Sequence, residues 1–171
     1  MTAGIRPVSG STNIVLHDAE YRRIKAVLSM TQKELRADLV LLIDRSGQQI
    51  AFDGPANGID LTALASLAAA SLAATDGLAR QLGEPDFSIL FHQGQNRSIQ
   101  ISDVAKKYSL VVVFDDGVSL GMVRLRVKRA TAYLEEILSG LTRKNENAGP
   151  ARSSAAEPGP LYFTDEELDK L

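Results

Sequence analysis

The chain has 171 residues, a formal net charge of −2 and no cysteine. That length suits one domain with a real core and some chain to spare. The charge balance offers no basic surface for nucleic acid, and the lack of Cys removes a disulfide scaffold, a thiolate zinc site and a Cys nucleophile. Trp is absent and aromatics are 5%, which argues against a ligand pocket with aromatic walls. Residues 1–12 are expected to be loose, with one Arg and no apolar run for a secretory signal. Residues 13–16 add a candidate short strand. Asp18 then opens a helix to about Leu35, with Tyr21, Ile24, Val27 and Leu28 on one face. Leu39–Ile43 is a buried strand, Asp44–Gly47 a turn, and Gln48–Phe52 the returning strand of a hairpin.

The loop Asp53–Gly58 punctuates the chain before a helix over 60–82, with Asp60 as its N-cap. This helix carries two apolar faces. Leu61, Leu64, Leu67, Leu72, Leu78 and Leu82 fall on one arc at roughly 100° per residue. Ala65, Ala69, Ala73 and Gly77 form a stripe at i, i+4 spacing beside it. The stripe has two readings: tight packing on the helix's own sheet, or close approach by another protein. Because the leucines already supply a core face, the second apolar face calls for a second partner. The uncharged run Leu61–Thr75 reads as too short and too Ala-rich to span a bilayer. A soluble cytoplasmic protein is expected.

Three more strands follow, over Phe87–His92, Arg97–Asp103 and Leu110–Phe114. The second has Ile99 and Ile101 on one face and Ser98, Gln100 and Ser102 on the other. A last helix runs from about Ser119 to Leu141 with Val123, Val127, Ala130, Leu134 and Ile137 as its core stripe. The order α-β-β-α-β-β-β-α, with connections too short for parallel crossovers, predicts an α+β fold with a five-stranded, mainly antiparallel sheet. The domain is expected over 13–141, followed by a linker over 142–160 with little to bury. A capped segment closes the chain at 161–171. Thr164 and Glu167 form a capping box, while Phe163 and Leu168 form a hydrophobic staple. Leu168 and Leu171 share a face, as in a docking peptide that folds on a surface.

Catalytic constellations do not emerge. No Gly-x-x-x-x-Gly-Lys-Ser/Thr loop is present. His17 and His92 lack a second ligand at metal spacing. Asp115-Asp116-Gly117 reads as a turn rather than an acid pair. Arg124, Arg126, Lys128 and Arg129 read first as a solvated helix face, and second as a surface for acidic protein or lipid. One of them could serve a GTPase as an arginine finger, but nothing in the sequence selects which.

Several segments resemble the Roadblock family. They are Leu41-Leu-Ile-Asp44-Arg-Ser-Gly47-Gln-Gln-Ile50, Ile59-Asp60-x-Thr62-x-Leu64-Ala65-Ser66-Leu67, Phe91-His92-Gln93-Gly94 and Ser119-Leu120-Gly121-Met-Val-Arg124-Leu-Arg126. The similarity runs over about residues 13–141, and the acidic end Phe163–Leu171 is similar to the tail of bacterial members. The resemblance implies a Roadblock/profilin-like fold and a homodimer whose sheets join edge to edge with the middle helices side by side. It implies one Ras-like small GTPase bound per dimer. Hydrolysis would be activated without an arginine finger, by moving the GTPase's switch regions, in cell polarity and gliding motility at a cell pole. The chain would have no active site and no cofactor of its own, with GTP and magnesium held by the GTPase. Ala73 and Gly77 would lie against the GTPase, and the i+4 spacing extends that contact to Ala65 and Ala69. Phe163, Leu168 and Leu171 would dock on a separate GTPase surface and influence nucleotide exchange. Two other readings are a non-catalytic Roadblock scaffold and a small-molecule sensor.

Overall fold

A computed structural model describes residues 18–147. Its elements run α1 (Asp18–Leu35), β1 (Leu39–Asp44), β2 (Gln49–Asp53), α2 (Leu61–Leu82), β3 (Ile89–Gln93), β4 (Arg97–Val104), β5 (Tyr108–Asp115) and α3 (Leu120–Asn147). The five strands form one sheet in the order β2-β1-β5-β4-β3, and every neighbouring pair is antiparallel. This is the α+β arrangement expected from the sequence.

The sheet is covered on both faces, which explains why β1 and β5 are apolar at nearly every position. Val40, Leu42, Leu110, Val112 and Phe114 face α1 and α3 together with Ile24, Leu28, Val123, Val127 and Leu134. Leu39, Leu41, Ile43, Val111 and Val113 face the other way, beneath α2 with Ala65, Ala68 and Leu72. The expected core stripe of α3 is fully inside, at 4% exposure or less for each of its five residues. On α1, Ile24 and Leu28 are buried as expected, whereas Tyr21 lies at 42% exposure.

The boundaries differ from the sequence reading at β3, which is Ile89–Gln93 rather than Phe87–His92, at the β4–β5 hairpin and at the end of α3. Strands β4 and β5 continue past Asp103 and begin before Leu110, joined by a tight hairpin in which Ala105 and Lys106 take φ of 53° and 60°. Lys107 N–H closes that turn on Val104 C=O at 3.3 Å. Such turns favour Asn or Gly, so Ala-Lys gives no sequence signal. Helix α3 extends to Asn147, beyond the Leu141 at which the linker was placed. Its last turns carry Arg143, Lys144 and Glu146, straight-chain residues with good helix propensity.

Tyr108 stands opposite Asp44 in the β1–β5 ladder and is 3% exposed. Burial raises its hydroxyl above the ordinary 10.0, and the Asp44 carboxylate adds to the effect. The fold therefore holds Tyr108 neutral. Its contribution to stability is complete below the unfolded-chain pKa and is lost as pH rises through the folded one. Urea titrations above pH about 10 are expected to show a steeper loss of stability for the native chain than for Tyr108→Phe.

Candidate functional site

The middle helix α2 is the element with an unsatisfied surface. Asp60 caps it as expected, its carboxylate accepting from Ala63 N–H at 3.0 Å. Gly83 ends it at φ 72°. Among the described residues it is the one helix long and apolar enough to cross a membrane by length and composition, since it continues well beyond the Leu61–Thr75 run. Only 22% of its most apolar 18-residue window is buried. One side is committed to the sheet, so the exposed remainder reads as a protein-binding face.

The sheet-facing side consists of Ala65, Ala68, Leu72, Thr75 and Ala79, at steps of three and four. This corrects the assignment of the leucine arc to the core. Leu72 is buried, Leu61 and Leu64 are partly buried, and Leu67, Leu78 and Leu82 are 66%, 59% and 70% exposed. Small residues, not leucines, bring α2 down onto the strands.

The small-residue stripe is corrected in the same way. Four residues advance a helix by about 400°, so an i, i+4 row turns by roughly 40° at each step. Ala65 therefore starts on the sheet, at 1% exposure. Ala69 is half-buried beside it. Ala73 is exposed and Gly77 half-exposed. The close approach at Ala65 and Ala69 is made by this chain's own hairpin: a Cβ built on Gly47 would lie 3.2 Å from Ala65 O and 3.2 Å from the Ala69 methyl. Gly47 also takes φ 85°, a region that only Gly visits freely. Ala65 cannot serve a partner, and the accessible small surface is Ala73 and Gly77. On the helical wheel it continues through Ser66 and Ala70, both with outward-facing positions.

At Gly77 the fold itself has no need of glycine. A Cβ there meets only the Arg80 guanidinium, at 3.8 Å, and its φ is ordinary. A mid-helix Gly costs about 1 kcal/mol relative to Ala. Gly121 and Gly140 are equally open; what sets Gly77 apart is its continuity with Ala73 and with the exposed leucines.

The C-terminal half of α2 is tied to the sheet next to that surface. Arg45 donates to Asp76 at 3.2 Å, to Asp103 at 2.7 Å and to Lys106 C=O at 3.2 Å. It thereby joins the β1–β2 turn, the residue before Gly77 and the β4–β5 turn. Ala69 and Asp76 thus incline toward the β1–β2 hairpin. The opposite flank, bearing Leu67, Leu78 and Leu82, inclines toward the β3 edge of the sheet.

The remaining candidates separate. The basic cluster of α3 divides around the helix: Arg126 pairs with Glu34 of α1 at 3.4 Å and Arg129 lies over the Tyr133 ring at 5.7 Å. Arg124 and Lys128 line a groove against β4. Asp115 accepts from Gly117 N–H at 3.0 Å and serves the turn. His92 is exposed on β3, and no group of three metal-ligating side chains occurs among the described residues. His17 and the tail residues Phe163, Leu168 and Leu171 lie outside the described residues.

The sequence profile of the Roadblock/LC7 domain matches residues 24–114, from α1 to the end of β5. The chain belongs to the Roadblock/LC7 family. No curated protein matches it. Among solved structures, MglB of Myxococcus xanthus is 41% identical, with a TM-score of 0.71 over 74% of this chain and 96% of that one. The gliding protein MglB of Thermus thermophilus is 35% identical, with a TM-score of 0.69 over 80% and 99%. An MglB with a tetrameric arrangement is likewise 35% identical, with a TM-score of 0.70. A Roadblock/LC7 domain from Streptomyces avermitilis, 11% identical, shares the fold at a TM-score of 0.62. The Roadblock fold and the family resemblance of the sequence are thus both established, and the profile spans all five strands and the whole of α2.

Proposed function

We propose that this chain is a non-enzymatic, MglB-like activator of a bacterial Ras-like small GTPase of the MglA type. It works as a homodimer that binds one GTPase. The observation that carries this reading is the exposed Ala73–Gly77 surface on a Roadblock fold 41% identical to an MglB. A flat face without side chains lets a switch segment of the GTPase lie directly on the helix backbone. Activation then follows from differential binding: the dimer holds the hydrolysis-competent switch arrangement more tightly than the resting one. The GTPase's own residues complete the chemistry. Of the α3 arginines, Arg126 and Arg129 are engaged within the domain, which fits a mechanism in which they supply no group to the GTPase.

Homodimerisation supplies the other half of the surface. Edge strand β3 pairs with its copy, and the leucine flanks of the two α2 helices meet above the joined sheets. The tail segment around Phe163, Leu168 and Leu171 docks on a second surface of the GTPase and affects nucleotide exchange. The cellular setting is cytoplasmic, at a pole, in polarity and gliding motility.

Single-turnover GTP hydrolysis by an MglA-type GTPase, with and without this protein, tests the reading. Each tenfold stimulation corresponds to about 1.4 kcal/mol of differential binding to the transition state. Stimulation together with preference for the GTP-bound form is expected. Tight binding with no acceleration would instead assign the chain to the scaffolding members of the fold.

A further inference from the structure

The face of the sheet opposite α2 is buried under α1 and α3, with a groove at its β3–β4 margin. Helix α3 packs against β4 and leaves a groove of about 390 Å³ between itself and the β3–β4 edge. Arg124 and Lys128 stand on its α3 wall, Ile89 and Val127 provide apolar surface, and Gln100 and Ser102 form part of the lining.

Positive charge is in excess in this groove, because Asp103 is paired with Arg45 while Glu135, bonded to a neutral N–H, keeps one negative charge against two cations. Asp103 accepts from Arg45 at 2.7 Å and from Lys106 N–H at 3.1 Å. Glu135 accepts from Ala105 N–H at 3.3 Å. Among the described residues neither Arg124 nor Lys128 has an ion pair. Gln100 is 1% exposed; its amide N–H donates to Ser102 Oγ at 3.2 Å, and its buried Oε1 accepts from nothing. A buried carbonyl without a donor is unfavourable. An occupant suited to this groove brings carboxylates for the exposed cations and some apolar surface.

This chain carries a segment of that chemistry. Thr164–Asp169 contains Asp165, Glu166, Glu167 and Asp169, with Phe163 and Leu168 as apolar anchors. We propose that the groove between α3 and the β3–β4 edge seats the acidic segment Thr164–Asp169 of the same chain. The reach is sufficient. The helix from Arg124 to Asn147 measures about 35 Å at 1.5 Å per residue. The chain from Asn147 to Thr164 extends to roughly 55–60 Å. The proposed edge pairing leaves this groove open, because Ile89 and Gln100 lie on the face of the sheet rather than in the plane of its hydrogen bonds. The seat stores the tail away from the GTPase surface that we propose for it, so each GTPase encounter competes with an internal site. The existence of the seat does not depend on the GTPase reading, and the test uses this protein alone.

The native chain has no cysteine, so Ala132→Cys and Lys170→Cys accept a pair of spin labels in the full-length protein. Labelled chains are diluted with unlabelled protein until a dimer carries one labelled copy. A single short inter-label distance is expected. Arg124→Glu with Lys128→Glu should broaden and lengthen it, with an unchanged melting temperature. Changing Asp165, Glu166 and Glu167 to Lys in that variant should restore it. A broad distribution in the unaltered tail, indifference to the charge reversal, or loss of the signal on dilution would each overturn the proposal.

Discussion

Ala73→Arg combined with Gly77→Arg is expected to reduce GTP hydrolysis to the GTPase's unstimulated rate while leaving this protein folded. Both positions are on the outward side of α2, and Gly77 has room for a side chain against the mobile end of Arg80. Replacing a mid-helix Gly stabilises the isolated helix by up to about 1 kcal/mol, so the domain has no reason to unfold. Two guanidinium groups then stand on the proposed seat of the switch segment, and close approach is lost. Circular dichroism and a thermal melt check the fold, and single-turnover hydrolysis reads the effect. Full stimulation by the folded double variant would remove Ala73 and Gly77 from the site. Ala65→Arg is the contrasting control. It places a cation against the sheet at a position 1% exposed, where burial of an unpaired charge costs several kcal/mol, and should unfold the domain.

The contrast between Ala65 and Ala73 marks where sequence periodicity carries the argument and where it stops. Strands β1 and β5 were legible because a two-sided core demands continuous apolar residues, and Leu39–Ile43 and Leu110–Phe114 supply them. Helix α2 was legible in extent from its Asp60 cap and Gly83 stop. Its facing was not. Leucine is the stronger apolar signal, yet the sheet takes Ala65, Ala68 and Ala79 beside one leucine, Leu72, and the Gly47 turn closes on the backbone at Ala65 and the methyl of Ala69. An i, i+4 row on a straight helix always drifts, so a four-member stripe cannot keep one partner along its length. The groove beside Gln100 was also beyond the sequence. Alternation showed Ser98, Gln100 and Ser102 sharing a face, but not that α3 would bury that polar face and leave a groove along its margin. The Roadblock motif residues were more specific: Arg45 and Gly47, read only as a turn, prove to hold α2 at Asp76 and at Ala65–Ala69.

The leucine flank is where the proposed homodimer is tested. Leu67, Leu78 and Leu82 are each more than half exposed on a helix that also carries Ala70 and Ala74 outward. Burying one exposed leucine contributes about 1.5–3 kcal/mol, so three on each of two helices make a symmetric apolar contact of the strength a dimer needs. Leu67→Asp with Leu78→Asp reverses that contribution and sets like charges against each other across the two-fold axis. Light scattering is expected to show the native protein at twice the 18.4 kDa chain mass and the variant at the monomer mass. Both core faces are complete within one chain, so the monomer should remain folded, and its circular dichroism should match the native spectrum. On the proposed reading of one GTPase per dimer, stimulation should fall in parallel. A variant that stays dimeric would move the interface off α2, onto the β3 edge alone. A monomer that still stimulates fully would show that one copy of the Ala73–Gly77 surface is enough.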